Sequence, residues 1–217
     1  GAFEPPEGKF KQVVAIRFGV CGLALDGDIV CANLLGSDIA THFEGPFIEF
    51  AAGGENLCAI GADNSLTCWA NGARQDYPNA AMHVTMNDSH ACILTLDRRP
   101  ECIAFVAEPV PVWDPGEPLY SIVTDSQFDR LCGLNREGRM RCYGSSVSPE
   151  KAKAFIQADL GARYVKGVTV DGTLGSHELP SRATSRFDEI ESPRLVAVRS
   201  EDCKMLLDRS VLCSTYF

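Results

Sequence analysis

Between Phe47 and Trp69 the chain reads FIEFAAGGENLCAIGADNSLTCW. Cys58 and Cys68 stand with nine residues between them, and Asp63-Asn64 lies midway. The arrangement recurs. The ten cysteines fall at 21 and 31, 58 and 68, 92 and 102, 132 and 142, and 203 and 213, which is five copies of C-x9-C. Their leading members are 37, 34, 40 and then 71 residues apart, so the last gap is two repeats wide. Inside that gap FIQADLGARYVKGVTVDGTLGS, starting at Phe155, lies over the opening stretch with Lys166 and Ser176 at the cysteine positions. Six units then lead at 21, 58, 92, 132, 166 and 203, and a period of 34 to 40 residues points to a propeller, a solenoid or a helical array.

The local pattern chooses strands. Cys21, Leu23 and Leu25 alternate with Gly22 and Ala24, and the same slots hold Cys58 and Ile60, then Cys92, Leu94 and Leu96. Such period-two alternation is that of a half-buried strand. Each unit is predicted to hold a β-hairpin centred on an acidic residue: Asp26, Asp63, Asp97, Glu137, Asp171 and Asp208. Gly27, Asn64, Gly138 and Gly172 follow four of these, which is turn chemistry. The two cysteines of a unit then face each other across the hairpin, and disulfides are predicted for 21–31, 58–68, 92–102, 132–142 and 203–213. Pairing between neighbouring units is the rival arrangement. Apolar stretches at Val13 to Ile16, Phe50 to Ala52, Val84 to Met86, Ile122 to Thr124 and Leu195 to Val198 read as a preceding strand, and 32–46 and 177–191 as connectors with room for one more. Residues 149–160 have a weak helical look, but the repeat makes their second half a strand.

A chain of 217 residues with 45% hydrophobic content can bury a substantial core. No apolar run approaches the roughly 20 residues of a membrane helix. The opening GAFEPPEGKF lacks a signal pattern, so any targeting segment is expected to have been removed, leaving room for this to be the ectodomain of something longer. A formal charge of −9 argues against nucleic acid or an anionic membrane as the main partner. An even number of regularly spaced cysteines reads as a disulfide framework from an oxidising compartment, hence secreted or on the outer face of the cell.

Written as Phe, strand, Gly-Gly, Cys-Ala-hydrophobic, acidic turn, hydrophobic, Cys-Trp, the unit resembles the regulator of chromosome condensation repeat. The nearest flavour is the secreted, cysteine-paired form of plant crinkly-type receptor ectodomains. The resemblance covers residues 10–217 and implies an all-β, six-bladed β-propeller, one domain over 1–217. Its blades would span approximately 10–46, 47–80, 81–120, 121–154, 155–191 and 192–217, with the N- and C-terminal segments meeting to close the ring. Three departures stand out: the family usually closes with seven blades, Gly53-Gly54 has no counterpart in the other units, and the fifth unit lacks both cysteines. Tectonin lectins are a second resemblance, through repeat length and the opening Phe10-Lys11-Gln12-Val13.

Candidate sites lie where the repeats disagree. Four prolines stiffen 108–118 (EPVPVWDPGEP) around Trp113, which is offered either as an exposed anchor or as a side chain packed on the propeller. The stretch 71–79, NGARQDYPN, presents Arg74 and Tyr77. Lys166 puts a cation where five units have a half-cystine, which marks a site or simple repeat drift. The six acidic turn residues make a negative rim, against the plain reading that Asp forms turns well. Asn87-Asp88-Ser89 is a glycosylation sequon. Ser176 and His177 are neighbours on a strand and point apart, so they do not form a catalytic pair. His42, His83, His90 and His177 are not at metal-ligand spacing, and no metal or cofactor is called for. Asp188, Glu189 and Glu191 read as a solvated loop.

The expectation is a non-catalytic module, secreted or at the cell surface, that binds a protein partner through propeller loops. A tectonin-type lectin taking a glycan is the alternative. A hydrolase at a central channel is the weakest reading, since no residues for it are found.

Overall fold

The computed structural model describes residues 8–16, 19–33, 42–77, 81–107, 110, 112–124, 131–138 and 140–143, and beyond these the backbone of strands lying between 155 and 213. All regular structure among the described residues is β. It forms small antiparallel sheets taken up in chain order. The first joins β1 (Phe10–Ile16), β2 (Gly19–Ala24), β3 (Ile29–Asn33) and β4 (His42–Phe43), and the second joins β5 (Phe47–Gly53), β6 (Asn56–Gly61), β7 (Leu66–Ala70) and β8 (Ala73–Tyr77). The third holds β9 (Ala81–Met86), β10 (His90–Thr95) and β11 (Pro100–Ala104), and the fourth β12 (Ser121–Thr124), β13 (Leu131–Leu134) and β14 (Met140–Tyr143). Then come β15 (Phe155–Leu160), β16 (Tyr164–Thr169), β17 (Leu174–Glu178) and β18 (Phe187–Ile190), and last β19 (Leu195–Val198), β20 (Cys203–Leu206) and β21 (Val211–Cys213).

The first strands of successive sheets neighbour one another: β1 lies on β5, β5 on β9, β9 on β12, β12 on β15 and β15 on β19, while β1 also meets β20. The core lies between sheets. Leu23 and Ile29 of the first sheet pack with Phe50 and Leu57 of the second. Ile60 and Leu66 of the second pack with Val84 and Ile93 of the third, and Leu94 of the third with Leu119 and Ile122 ahead of and in the fourth. Middle strands are consequently covered on both faces. The first five residues of β2, β6 and β10 are all buried, which corrects the half-buried strand expected from alternation. Alternation marks the two faces, and stacking covers both.

The register puts Cys21 opposite Cys31, Cys58 opposite Cys68, Cys92 opposite Cys102 and Cys132 opposite Cys142. Each of these pairs is a disulfide, with its Cα atoms 4.0 Å apart. That separation is nearer the ~4.5 Å of a non-hydrogen-bonded antiparallel pair than the ~5.5 Å of a hydrogen-bonded one. Cys203 faces Cys213 in register, and Lys166 faces Ser176; the side chains of these four lie outside the description. Cystines 21–31 and 58–68 are buried among side chains of the following sheet, as is Cys92, so a bridge that is covalent within one sheet also fills the seam to the next.

In the first and fourth sheets the residue after the leading cysteine shares space with the residue that begins the unit. A Cβ on Gly22 would stand 2.4 Å from the Phe10 ring, and one on Gly133 2.4 Å from Leu119 Cδ1. The second unit pairs Phe47 with Ala59, the third reverses the sizes with Ala81 and Ile93, and the fifth returns to Phe155 and Gly167. In these five units the sequence matches large with small, as close packing favours, whereas the sixth has Leu195 and Lys204 at the two places.

Four expectations change. Leu25 and Leu96 are 49% and 55% exposed, because the strand ends one residue earlier and both fall in the turn. Of the stretch 71–79, residues 71–77 are no open loop: Ala70 pairs with Ala73 across Asn71-Gly72, whose φ values of 52 and 74 make a two-residue hairpin turn, and β8 follows, while 78 and 79 lie outside the described residues. Asp188 and Glu189 belong to β18 and not to a solvated loop. Residues 155–160 are strand, while 149–154 lie outside the described residues.

Candidate functional site

The acidic turns and the start of each following sheet are built together. Asp26 is the centre of a three-residue loop in which Gly27 N–H donates to Ala24 C=O at 3.2 Å and Ala24 N–H to Asp28 C=O at 2.8 Å. Asp63 and Asp97 sit in the same frame, closed by Asn64 to Gly61 at 3.0 Å and Arg98 to Thr95 at 2.8 Å, and Gly138 bonds Asn135 at 3.0 Å beside Glu137. The residue after the acid is left-handed in all four, with φ 105 at Gly27, 65 at Asn64, 65 at Arg98 and 73 at Gly138. Glycine and asparagine accept that conformation readily; Arg98 is the position that composition does not announce.

The carbonyl of that left-handed residue holds the next sheet. Gly27 C=O accepts from Phe47 N–H at 2.9 Å, Asn64 C=O from Ala81 N–H at 3.0 Å, and Arg98 C=O from Leu119 N–H at 3.2 Å. A second belt runs along the first strands. Gln12 donates to Phe50 C=O and accepts from Phe50 N–H, and at the equivalent place Glu49 accepts from Val84 N–H at 3.2 Å and contacts His83. These groups are scaffold, stitching sheet to sheet.

The acids of the turns are partly spent on the turns themselves. Asp26 accepts from the Asp28 N–H at 3.1 Å, and Asp63 accepts from Ser65 Oγ at 2.6 Å and Ser65 N–H at 3.0 Å. The Ser65 hydroxyl, then its N–H, hold the Asp63 carboxyl below the usual range. Asp28 is lowered likewise by the Gly45 N–H and by His42, whose Nε2 lies 2.8 Å from Oδ2. Asp171 and Asp208 lie outside the described residues.

Trp113 is half-buried and packs against the cluster of Leu94, Leu119 and Ile122, so it takes the packed alternative; its neighbour Val112 is the exposed one, at 86%. Arg74 lies on exposed β8 with its guanidinium 5.8 Å from the Trp69 ring centre and 3.1 Å from Asp76 Oδ1. Trp69 itself packs edge-on to Phe43 at 4.7 Å and Phe47 at 5.8 Å, tying the first two sheets. Tyr77 donates to Gln75 Oε1 at 2.6 Å, and burial raises its phenol. Lys166 sits mid-strand in β16, away in the fold from Trp113 and β8. Asn87 is buried, and its Oδ1 accepts from Ser89 N–H at 2.9 Å and His90 N–H at 2.8 Å. His90 is buried, and His177 lies in β17. Among the described residues no group of three or more His, Cys, Asp or Glu is placed to hold a metal ion.

One feature of the turn end escapes sequence reading. The register slips at the second residue of the first strand in five sheets, bulging Lys11, Ile48, Met82, Ile156 and Val196. Ile48 and Tyr120, the latter at the matching place before β12, are 49% and 46% exposed. The available signal is variability: these positions differ while the phenylalanines before them at 10, 47 and 155 recur.

No family model matches the sequence, and no curated protein matches it. Solved structures do. The CRINKLY WD40 ectodomain of an Arabidopsis thaliana receptor kinase is similar at TM-score 0.70 and 16% identity, over 97% of this chain and 80% of that one. The β-propeller domain of Myceliophthora thermophila Cps50 is similar at 0.59 and 14%, over 90% and 73%. Yeast RCC1 (Prp20), solved with Kap60 bound, is similar at 0.56 and 12%, over 77% of this chain and 55% of that one. The fold is therefore that of β-propellers, and both flavours of the sequence resemblance, crinkly ectodomain and RCC1, are among the structural neighbours.

Proposed function

We propose that the chain is a six-bladed β-propeller over 1–217, with blades close to the six repeat windows, that binds a protein partner without catalysing a reaction. Ring closure through the terminal segments is supported by β1 meeting β20. A secreted or outer-surface location is supported by four disulfides, which persist in oxidising compartments. The observation that carries the binding reading is that Gln12, Glu49 and the turn carbonyls are consumed between sheets, whereas exposed side chains of β8 and at Val112 lie in stretches whose sequence differs from unit to unit. Val112 beside Trp113, and Arg74 and Tyr77 on β8, are contact candidates of that kind, with Lys166 a further one by position.

Yeast RCC1, a propeller of similar fold, is a protein bound by another protein. The lectin reading is not carried forward, since Trp69 is consumed between sheets and Tyr143 has no exposed aromatic counterpart at the same place in the other described sheets. A glycan array with a reproducible hit would restore it. The sequon at Asn87 is likewise left out, its carbonyl being engaged in the β9–β10 turn. The test is capture from a native cell-surface extract by immobilised protein, comparing wild type with Val112→Asp and Arg74→Glu. One discrete protein retained by wild type and reduced by a variant supports the reading; no protein retained in stoichiometric amount refutes it.

A further inference from the structure

The exposed large apolar side chains are not scattered. Leu25 and Leu96 occupy the same turn position in their sheets, and Tyr120 stands before β12 at the place that Ile48 takes as a bulge, so four of the seven such residues among those described lie at the turn end of the sheets. They come in pairs at seams. Leu25 and Ile48 flank the Gly27–Phe47 hydrogen bond between the first and second sheets, and Leu96 and Tyr120 flank the Arg98–Leu119 bond between the third and fourth. A bulge leaves its residue outside the ladder and re-aims its side chain, a device found beside binding sites. Exposed apolar side chains gathered at one place mark an interaction surface when they form a patch.

Charge distinguishes the two pairs. Between residues 18 and 73 there is no Lys or Arg and there are seven Asp or Glu, and the stretch 10–77 that contains the first two sheets has eight acids and three bases. At the first seam Leu25, Pro46 and Ile48 are exposed among Asp26, Glu44 and Asp63, all exposed carboxylates. At the second seam Arg98 stacks on Tyr120 at 3.9 Å and Arg99 reaches Asp97 at 3.6 Å, so the field is balanced there. The apolar patch of the first seam is braced on three sides: Gly27 C=O by Phe47 N–H, Asp28 Oδ1 by Gly45 N–H at 2.8 Å, and Pro46 C=O by Ala62 N–H at 3.2 Å. A patch held in that way loses little freedom on binding.

We infer that the seam between the first and second sheets, centred on Leu25, Pro46 and Ile48, docks a segment of a partner protein that carries apolar side chains flanked by Lys or Arg. The inference rests on the protein-binding reading and adds to it the place and the chemistry of the partner. Apolar burial supplies the contact, and the exposed carboxylates select a cationic segment and repel an acidic one.

The probe is a short fluorescent peptide of alternating Lys and Leu, with Glu/Leu and Lys/Ser peptides as the other arms. Anisotropy measures binding, and amide hydrogen exchange with the peptide bound gives the footprint. The Lys/Leu peptide is expected to bind about tenfold more tightly than either control, with protection at 25–28 and 44–48. Leu25→Ser with Ile48→Ser is expected to weaken it about tenfold. Asp26→Asn with Glu44→Gln, which keeps the shape, should weaken it about two- to tenfold and flatten its salt dependence. Equal binding of the Lys/Ser peptide, no binding of the Lys/Leu peptide, or indifference to both double variants would overturn the inference. Protection at β8 or at 112–120 would overturn it too while leaving the protein-binding reading intact. Sedimentation provides the last arm: a dimer abolished by the Leu25/Ile48 variant makes the occupant a second copy and also overturns it.

Discussion

The exchange of sizes between Phe10 and Gly22 gives a sharp quantitative prediction. Phe10 is buried at 3% exposure, and a Cβ built on Gly22 would lie 2.4, 2.6 and 2.9 Å from three atoms of its ring. The ring has no free volume to enter, so Gly22→Ile should cost at least the about 1–3 kcal/mol of overpacking. Phe10→Ala should cost about 3–5 kcal/mol through lost burial and a cavity. Together the two changes reproduce the arrangement of the third sheet, where Ala81 begins the unit and Ile93 follows the leading cysteine. The double variant should therefore recover about 1–3 kcal/mol relative to the sum of the singles. Urea denaturation of the four proteins measures this as a double-mutant cycle. Melting temperatures give a check, at ~2–4 °C per kcal/mol for a protein of this size. Additivity within about 0.5 kcal/mol would refute the claim that the two positions share one space.

Gln12→Ala strands both the N–H and the C=O of buried Phe50, and a loss of about 1–3 kcal/mol in chemical denaturation is expected, with Gln12→Glu intermediate because it keeps the acceptor. Cys58→Ser with Cys68→Ser opens a bridge of sequence separation 10; the loop term is at most about 2.7 kcal/mol, and the loss of filling in the seam adds to it, read as a lowered denaturation midpoint. Asp28, Asp63 and Asp76 are all held below the ordinary carboxyl range, the last by the Thr67 hydroxyl and then Arg74. A depressed folded-state value means the unfolded chain binds more protons, so this stabilisation is complete above the unfolded value near ~3.9 and is lost as pH falls below it. Acid titration of stability should show this loss, reduced by Ser65→Ala.

The bridging pattern is legible in the sequence because nine intervening residues, folded about a three-residue loop, put two cysteines in register. The repeat also fixes which residue lies in each turn. Burial of both strand faces is not legible: Ile60 and Ala59 alternate on paper, and only the stacking of a neighbouring sheet covers each of them. The left-handed Arg98 has no compositional mark, since its turn geometry is dictated by the hydrogen bonds of the loop and by Leu119. By contrast Asn71-Gly72 is a strong turn signal that the polar, loop-like composition of 71–79 obscures. Of the candidate site, the variable residues are visible as variable. Their exposure follows from bulges that alternation does not encode, as at Ile48, or from packing that decides between neighbours, as with Trp113 and Val112.

The proposed closure of the repeats into a ring is tested most directly through the six lysines of the chain. Lys11 is in β1 and Lys204 in β20, strands that lie against each other. Amine-reactive crosslinking of the purified monomer, followed by peptide mass spectrometry, is predicted to join Lys204 to Lys11 or its neighbour Lys9. Singly modified Lys204 and Lys11, never joined to each other in the monomer, would contradict the closed ring.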